Sequence, residues 1–332
     1  MAIRILAIET SCDETSAAVL IDGGLKSNIV ASQVDIHQPY GGVVPEIASR
    51  SHIEALPGVI DNALAEADTR LGDVDAVAVT YGPGLVGALL VGLSYAKSLA
   101  FGTNTKFIGV NHLAGHIAAN YLCGAIPPFV CLIASGGHTS IVNVKSALEF
   151  EVMGQTLDDA AGEAFDKIAR SLGLGYPGGP KLDLLADGGD STAINLPKAL
   201  SIEGNYNFSF SGVKSSVLNY LNSMSMKGLE INKADVAASL RLSIAQTLVT
   251  KTLAAAGSIG SSHIAVCGGV ASNSLVRELF SLECAKAGLA LTIPPPMLCS
   301  DNAGMIAAQA YQIFLDGRFS DLSLNAAPSL GL

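Results

Sequence analysis

Residues 3–20 read IRILAIETSCDETSAAVL: an apolar run, a short polar turn and a second apolar run. Further along the chain, residues 129–144 repeat that plan as FVCLIASGGHTSIVNV. Apolar runs of this length, bounded by turn residues, are typical of buried strands. Two such hairpins, one opening each half of the chain, predict a duplicated fold with a cleft between the halves. Two unrelated core hairpins are the alternative.

The remaining sequence alternates strand-like runs with helical patterns. Further strands are predicted at residues 75–80, 107–110 and 263–267. Helices are predicted at residues 45–67, 85–101, 112–122, 158–172, 234–255, 272–286 and 301–315. Alternation at these lengths indicates an α/β protein with buried sheets, and 332 residues fit two domains.

Charge and composition argue against several classes of protein. The formal net charge of −10 gives no electrostatic footprint for nucleic acid, whose binding normally needs clustered Lys and Arg. Residues 76–96 and 107–144 lack Asp, Glu, Lys and Arg, but Gly, Pro or His interrupts each stretch, so neither is expected to span a membrane. The first residues carry no signal or import pattern, and no two cysteines form a C-x-x-C pair, so we expect a cytoplasmic protein.

Three loops that follow predicted strands are rich in small or hydroxyl residues. The two hairpin turns, residues 9–15 and 135–139, can present backbone N–H groups to a phosphate. The third loop, residues 267–273, opens a helix, whose N-terminus adds partial positive charge. A single Gly-Gly loop is more often a simple tight turn. Three loops at the C-terminal ends of strands favour a nucleotide cleft.

His112 and His116 are spaced i, i+4, so a helix places both imidazoles on one face. That spacing suits two ligands of one divalent metal ion, with Zn or Fe favoured by imidazole. A surface or capping pair of histidines is the alternative. A third ligand must come from elsewhere, and Asp301 opens a predicted helix, where an N-cap Asp is the ordinary expectation. Leu113 follows His112, so the H-E-x-x-H base of a zinc protease is missing and peptide hydrolysis is a poor interpretation.

Taken together, these segments resemble the bacterial tRNA N6-adenosine threonylcarbamoyltransferases, a family once labelled O-sialoglycoprotein endopeptidases. The matching segments extend in order over nearly the whole chain. They are IETSCDET (8–15), PEIASR (45–50), GPGL (82–85), NHLAGH (111–116), SGGHT (135–139), GEAFDK (162–167), YPGGP (176–180), FSGVK (210–214) and GGVASN (268–273).

The resemblance implies a duplicated actin-like ATPase fold of two ribonuclease-H-like subdomains with a cleft between them. The first subdomain is expected at residues 1–110, completed by a C-terminal helix within 301–332. The second is expected at residues 111–300, with the metal helix and the nucleotide loops.

The resemblance also implies the residues of the site. One divalent ion, Fe²⁺ or Zn²⁺, is expected on His112, His116 and Asp301. Contacts to the nucleotide-bearing substrate are expected from Ile133, Ala134, Ser135, Gly136, Gly137, Asp166, Gly179, Asp183 and Asn273. Asp13, a carboxylate in the first anion loop, is our hypothesis for the base that deprotonates the adenine N6.

The implied reaction transfers the threonylcarbamoyl group from threonylcarbamoyl-AMP to N6 of adenosine 37 in tRNAs that read codons starting with A, with release of AMP. ATP or AMP is the alternative occupant of the cleft. Implied partner proteins are a metal-free paralogue and a small P-loop ATPase. We hypothesise that the assembled complex, or a local patch on this chain, provides the basic surface that the acidic sequence lacks.

Two features separate this chain from other members. Ala114 occupies the position where members often carry Glu in an H-x-E-x-H pattern, and metal binding is expected to survive because both histidines are present. His138 matches the bacterial branch of the family. Two other functions stay open: a small-molecule kinase of the same fold, which has no use for paired histidines, and a non-catalytic nucleotide-binding scaffold.

Overall fold

The computed structural model describes residues 2–197 and 204–332 of the chain. The strands in these residues form two five-stranded sheets. The first sheet contains β1 (Arg4–Glu9), β2 (Glu14–Ile21), β3 (Gly24–Ser32), β4 (Ala76–Gly82) and β5 (Lys106–Asn111). The second sheet contains β6 (Phe129–Ala134), β7 (Thr139–Ser146), β8 (Glu149–Gln155), β9 (His263–Cys267) and β10 (Ala290–Thr292).

Both sheets have the same topology. In the first, β1 lies between its antiparallel hairpin partner β2 and the parallel strand β4, with β3 and β5 at the edges. In the second, β6 lies between antiparallel β7 and parallel β9, with β8 and β10 at the edges. Each central strand therefore comes from one of the two hairpins in the sequence, and the predicted duplicated α/β fold is confirmed.

Helices connect these strands. They are α1 (Val34–His37), α2 (Pro45–Glu66), α3 (Val86–Thr103), α4 (His112–Ala118), α5 (Ala161–Ser171), α6 (Gly178–Ala186), α7 (Ser211–Met226), α8 (Lys233–Ser258), α9 (Ser274–Ala287), α10 (Pro296–Cys299) and α11 (Ala303–Leu315). Strands β3 and β8 lie outside the predicted elements because they are edge strands with few buried positions, so neither forms a continuous apolar run.

The chain divides into two compact units at places that differ from the expected boundaries. The first unit comprises Met1–Ile126, Ser146–Glu149 and Met297–Leu332, and the second comprises Pro127–Lys145 and Phe150–Pro296. Helix α4 therefore belongs to the first unit, whereas a boundary after residue 110 had placed it in the second. The physical reason is close packing on α11: a Cβ added to Gly115 would lie 2.7 Å from Cδ1 of Ile306.

The first sheet is buried on both faces, so alternate residues of β1 enter different hydrophobic clusters. Leu6 and Ile8 pack with side chains of α2 and α3. Ile5 and Ala7 pack with side chains of α11 on the other face. This arrangement explains the unbroken apolar run of β1 in the sequence. Burial of each large aliphatic side chain contributes about 1.5–3 kcal/mol, which fixes the strand that carries the first turn.

Helix α3 is long and apolar enough to cross a membrane by length and composition alone, and 33% of its apolar window is buried. Its side chains Leu93, Ala96 and Ala100 lie in the core of the first unit. Core helices of other proteins share this length and apolar composition, so these two features do not by themselves indicate a membrane protein.

Candidate metal centre and nucleotide loops

The first unit brings together the three residues expected to bind a metal ion. One possible ligand atom from each of His112, His116 and Asp301 lies within 4.8 Å of the others. Oδ1 of Asp301 is 3.5 Å from Nε2 of His112 and 3.2 Å from Nε2 of His116. The two imidazoles are buried, and the carboxylate is partly exposed.

Helix α4 presents both histidines because its first turn is capped. The side-chain Oδ1 of Asn111 accepts hydrogen bonds from the backbone N–H groups of Leu113 and Ala114, at 2.8 and 3.2 Å. The i, i+4 spacing then stacks the two imidazoles edge to face, with ring centroids 4.7 Å apart. Ala114, between the two histidines, is buried in this helix.

Asp301 is not the N-cap of the last helix, in contrast to the ordinary expectation for that position. Helix α11 begins at Ala303, two residues later than predicted, and its N-cap is Asn302. The side-chain Oδ1 of Asn302 accepts a 3.1 Å hydrogen bond from the N–H of Met305. The cap is therefore supplied by the neighbouring residue, and the carboxylate of Asp301 faces the histidines instead.

The chemistry of these side chains fits a divalent metal ion. Neither ring nitrogen of His116 has a hydrogen-bond partner in the part of the chain that the structure describes, although the imidazole is completely buried. Nε2 does lie 3.2 Å from Oδ1 of Asp301, but the two atoms form no hydrogen bond. A buried imidazole without a hydrogen bond is costly, and a metal ion on Nε2 would satisfy it. Two imidazoles and one carboxylate form a ligand set that Zn²⁺ and Fe²⁺ both accept, and a three-ligand site leaves a position for substrate.

The electrostatics of His112 reflect the carboxylates around it. Burial disfavours the imidazolium, but the charges of Asp301 and Glu9 outweigh burial and raise the pKa of His112 to about 9. Nδ1 of His112 is 3.0 Å from Oε2 of Glu9 and 3.1 Å from Oγ of Ser11. The first turn of the chain, which follows β1, therefore adjoins the metal cluster. A metal ion on Nε2 would take the place of a proton there.

The first turn carries two further carboxylates, on Asp13 and Glu14. Burial and, to a smaller extent, the charges of Asp13 and Asp301 raise the pKa of Glu14 to about 7, although Oγ of Ser32 donates a 2.9 Å hydrogen bond to it. The other carboxylate oxygen of Glu14 has no hydrogen-bond partner among the residues described. The sequence drew attention to Asp13 alone, because the raised pKa of Glu14 depends on burial that only the fold reveals.

A buried polar network supports the first turn from α2. The Nε2–H of His52 donates to the carbonyl oxygen of Cys12 at 2.9 Å, and its Nδ1 is 2.8 Å from Oγ1 of Thr15. The amide nitrogen of Gln33 donates to the same Nδ1 at 3.2 Å, and Oε1 of Gln33 accepts from Nε2–H of His37 at 3.1 Å. Nδ1 of His52 accepts from Gln33 in this network, so that bond is satisfied only when the His52 imidazole is neutral.

In the second unit, the loop between β6 and β7 is a tight turn with open glycines. Ser135 and His138 close it by two hydrogen bonds, from Ser135 N–H to the His138 carbonyl at 2.8 Å and from His138 N–H to Ser135 Oγ at 3.1 Å. A Cβ added to Gly136 or Gly137 would meet no described atom within 4 Å. The loop therefore leaves room for a ligand to approach the backbone.

The side chains of Ile133 and Ala134 are completely buried, because both residues belong to the central strand β6. Their expected contact with a substrate stays a prediction, and it would involve their backbone groups. Gly268 packs directly on that strand: its φ is +89°, and a Cβ there would lie 2.3 Å from the carbonyl oxygen of Ala134. Only glycine fits, and the loop after β9 is thereby held beside the loop after β6.

Asp166 fixes the start of α6. Its Oδ1 accepts hydrogen bonds from the backbone N–H groups of Gly178 and Gly179, at 2.9 and 3.0 Å. The carboxylate therefore has a structural task in addition to any contact with substrate. A Cβ on Gly179 would meet no atom of the described residues within 4 Å, so this helix start is also open.

Asp183 and Asn273 are brought together by the fold. Nδ2 of Asn273 donates a 2.8 Å hydrogen bond to Oδ1 of Asp183, and Arg241 donates to the same oxygen at 2.8 Å. The N–H of Ser274 donates to the other carboxylate oxygen at 2.9 Å. Arg241, which the sequence analysis did not single out, lies on α8 and links this pair to α6. No local pattern marks it, since its partners are distant in sequence.

The same sheet, built around a β-hairpin, occurs once in each unit. One unit carries the His–His–Asp cluster and the other carries the open glycine loops. Together these features define a protein of the actin-like ATPase fold. Comparison with solved structures agrees: HypF of T. kodakarensis aligns with a TM-score of 0.63 at 16% identity, over 95% of this chain and 48% of that chain. Such a distant likeness shows the fold alone.

The chain belongs to the tRNA N6-adenosine threonylcarbamoyltransferase (TsaD) family, whose profile matches residues 24–308. A relative of that name from Clostridium botulinum (strain Kyoto) is 57% identical over 333 residues, which cover 99% of this chain and 98% of the relative. Another, from Clostridium perfringens (strain SM101), is 56% identical over 331 residues with the same coverage. The chain is therefore a transferase that acts in tRNA modification.

Proposed function

We propose that this transferase moves the threonylcarbamoyl group from threonylcarbamoyl-AMP to N6 of adenosine 37 in tRNAs that read codons starting with A. The observation that carries the proposal is the near full-length match to relatives named for N6-adenosine threonylcarbamoyl transfer. In the reaction, N6 attacks the carbamoyl carbon, a C–N bond forms, the C–O bond to phosphate breaks, and AMP leaves. The N6 proton passes to a base.

We assign one divalent ion, Fe²⁺ or Zn²⁺, to His112, His116 and Asp301. When bound, it supplies a Lewis acid that polarises the donor. The distances within the cluster and the unpartnered ring nitrogens of His116 support this assignment. Asp13 is the proposed base, because it is a partly exposed carboxylate in the turn that adjoins the cluster. Glu14 is its rival, since a carboxylate with a pKa of about 7 is well matched to proton transfer near neutrality.

We assign the nucleotide part of the donor to the loops of the second unit. The open backbone at Gly136, Gly137 and Gly179 supports this, since N–H groups of such loops bind phosphate. Asp183 and Asn273, which hydrogen-bond to each other, are the proposed polar contacts for the rest of the nucleotide. Ile133, Ala134 and Asp166 contribute by holding the loop and the helix start in place.

The acidic chain is proposed to work in the cytoplasm with partner proteins, a metal-free paralogue and a small P-loop ATPase. Its net charge of −10 opposes the approach of RNA. The partners, or a local patch on this chain, would supply the basic surface for tRNA.

The decisive experiment is mass spectrometry of nucleosides from unmodified tRNA incubated with this protein, its partners and threonylcarbamoyl-AMP. We expect threonylcarbamoyladenosine with the wild type and none with His112→Ala/His116→Ala. Asp13→Asn is expected to lower turnover about 10²–10⁴-fold, as loss of a general base does, with metal content unchanged. Loss of turnover in Glu14→Gln but not in Asp13→Asn would make Glu14 the base.

Three outcomes separate the competing functions. No product from the wild type, with active partners and intact donor, would contradict the proposed reaction. Phosphorylation of a small substrate that His112→Ala leaves unchanged would favour a kinase instead. A nucleotide-binding scaffold would keep its biological function in His116→Ala.

A further inference from the structure

Glu9, the last residue of β1, is a carboxylate in the core of the first unit. Its side chain is completely buried, yet it lies beside apolar β1 residues such as Ile8. A buried carboxylate is expensive unless several donors satisfy it. Glu9 lies in the motif IETSCDET (8–15), to which the resemblance assigned no role for this residue, so its partners are the evidence for its task.

Three hydrogen-bond donors converge on Glu9 from three parts of the first unit. The backbone N–H of Ser11 donates to Oε1 at 2.5 Å. Oγ1 of Thr80, on β4, donates to Oε2 at 2.6 Å, and Nδ1 of His112, on α4, lies 3.0 Å from the same oxygen. The carboxylate thus connects the first turn, β4 and α4 by hydrogen bonds.

We propose that Glu9 is a positioning residue for the metal ligand His112: by accepting its Nδ1–H, Glu9 selects the tautomer whose Nε2 lone pair faces Asp301. The inference rests on the metal centre of the proposed function. An ionised carboxylate has no proton to give, so a hydrogen bond between Oε2 and Nδ1 requires the proton to be on Nδ1. In the neutral imidazole, Nε2, 3.5 Å from Oδ1 of Asp301, is then left with its lone pair toward the cluster.

The second imidazole of the cluster is held differently. His116 has no hydrogen-bond partner for either ring nitrogen among the described residues, and its ring is oriented by packing and by edge-to-face contact with His112. The two ligands are therefore unequal: Nδ1 of His112 is held by the Glu9 carboxylate, whereas Nδ1 of His116 has no hydrogen bond among the described residues. Hydrogen-bonded partners of this kind are worth roughly 10–100-fold in metal affinity.

The test compares wild type with Glu9→Gln, which keeps the size of the side chain and removes its charge. Zn²⁺ affinity is measured by competition with a chromophoric chelator. The tautomer of His112 is read from ¹⁵N chemical shifts of the metal-free protein at a pH above the His112 pKa of about 9, where the imidazole is neutral. We expect Nδ1–H in the wild type, a mixture of tautomers in Glu9→Gln, and about 10–100-fold weaker Zn²⁺ binding in the variant. Glu54→Gln, on the exposed face of α2, is the control and should bind Zn²⁺ like the wild type.

Two results would overturn the role of Glu9: equal Zn²⁺ affinity of Glu9→Gln and wild type, or an Nε2–H tautomer of His112 in the wild type. The second needs no variant, so the inference stays testable if Glu9→Gln fails to fold. Absence of Zn²⁺ and Fe²⁺ binding by the wild type would instead overturn the metal centre of the proposed function, and this inference with it.

Discussion

At the scale of single residues, the glycines of the second unit separate what the fold needs from what a ligand needs. Gly268 and Gly162 are required by the protein itself, since a Cβ at either would collide with the backbone at Ala134 or Ser135. Gly179 and Gly136 face open space, so the fold gives no reason for a missing side chain there. That open space is consistent with the proposed approach of a ligand to the backbone at these two positions.

Gly179→Ala is therefore expected to raise the free energy of unfolding of the protein and to lower its affinity for a nucleotide. Gly179 lies inside α6, where Ala is favoured over Gly by up to about 1 kcal/mol. The added methyl group would occupy the space assigned to the nucleotide. Urea unfolding and calorimetric titration with AMP measure the two effects.

Gly257→Ala is the matched control, because Gly257 also lies in a helix, α8, and a Cβ there meets no described atom within 4 Å. It should give a similar gain in stability with unchanged AMP affinity. Gly179→Ala that binds AMP as tightly as wild type would remove Gly179 from the nucleotide loop.

Most candidate site residues were proposed from the sequence, and those that the sequence did not mark have a common cause. The pair His112 and His116 is marked by its own spacing, and the resemblance supplied Asp301. Glu9, Glu14 and Arg241 carry no such local mark. Their properties come from burial or from partners far away in the chain, such as Thr80 for Glu9 and Asp183 for Arg241.

At the scale of secondary-structure elements, the hydrogen bonds of His52 connect α2 to the first turn. Replacing His52 by Leu would leave the Cys12 carbonyl and the side chains of Thr15 and Gln33 without this partner. Each buried group left unpaired costs about 1–3 kcal/mol. We therefore expect His52→Leu to be clearly less stable than wild type in urea unfolding at pH of about 7.5.

The difference in the free energy of unfolding between wild type and His52→Leu should become smaller as the pH is lowered. Burial lowers the pKa of His52 below its ordinary value of 6.5, despite the hydrogen bond to Cys12 and the charges of Glu9 and Asp13, and His37 adds to the lowering. Below 6.5 the unfolded chain therefore binds a proton that the folded chain does not, and wild type loses stability as the pH falls toward the folded pKa. The Leu variant has no imidazole and does not lose stability in this way. A difference in the free energy of unfolding that stays constant or grows as the pH falls would contradict a neutral His52.

Strands could be predicted from the sequence where both faces of the strand are buried. The central strands β1 and β6 and the hairpins that contain them follow from apolar runs. The edge strand β3, with its alternating exposed residues, and helix α7, with few buried positions, give no comparable signal. The predicted helix at 112–122 ends at Ala118, since the following residues form a short 3₁₀ turn at Tyr121–Cys123.

At the scale of the whole molecule, the charge of −10 governs how tRNA can be bound. If the basic surface comes from partners or a local patch, its Lys and Arg side chains release counterions from the tRNA phosphates on binding. Because added salt opposes this release, the affinity for tRNA must fall as the salt concentration rises. We expect the affinity of the assembled complex for tRNA to fall by about 10³-fold or more between about 50 and about 200 mM salt, as for six or more phosphate contacts.

Fluorescence anisotropy with labelled tRNA measures this salt dependence, and this chain alone provides the comparison. It should bind tRNA more weakly than the complex at every salt concentration. Affinity of the complex that does not change with salt would contradict an electrostatic surface of this kind.

The division of the chain was the least predictable feature at this scale. A boundary after residue 110 follows the strand pattern, but helix α4 joins the first unit because Gly115 lets it pack against α11, which comes from the far end of the chain. Contacts between segments so distant in sequence leave no local pattern.

The discontinuity of the first unit also sets an order of events during synthesis. A ribosome makes His112 and His116 before the second unit and Asp301 after it. At about 5–20 residues per second, the histidines wait roughly 10–40 s for the carboxylate. A nascent chain that ends within the second unit holds only two of the three proposed ligands. The proposed three-ligand site is therefore complete only after translation of the second unit.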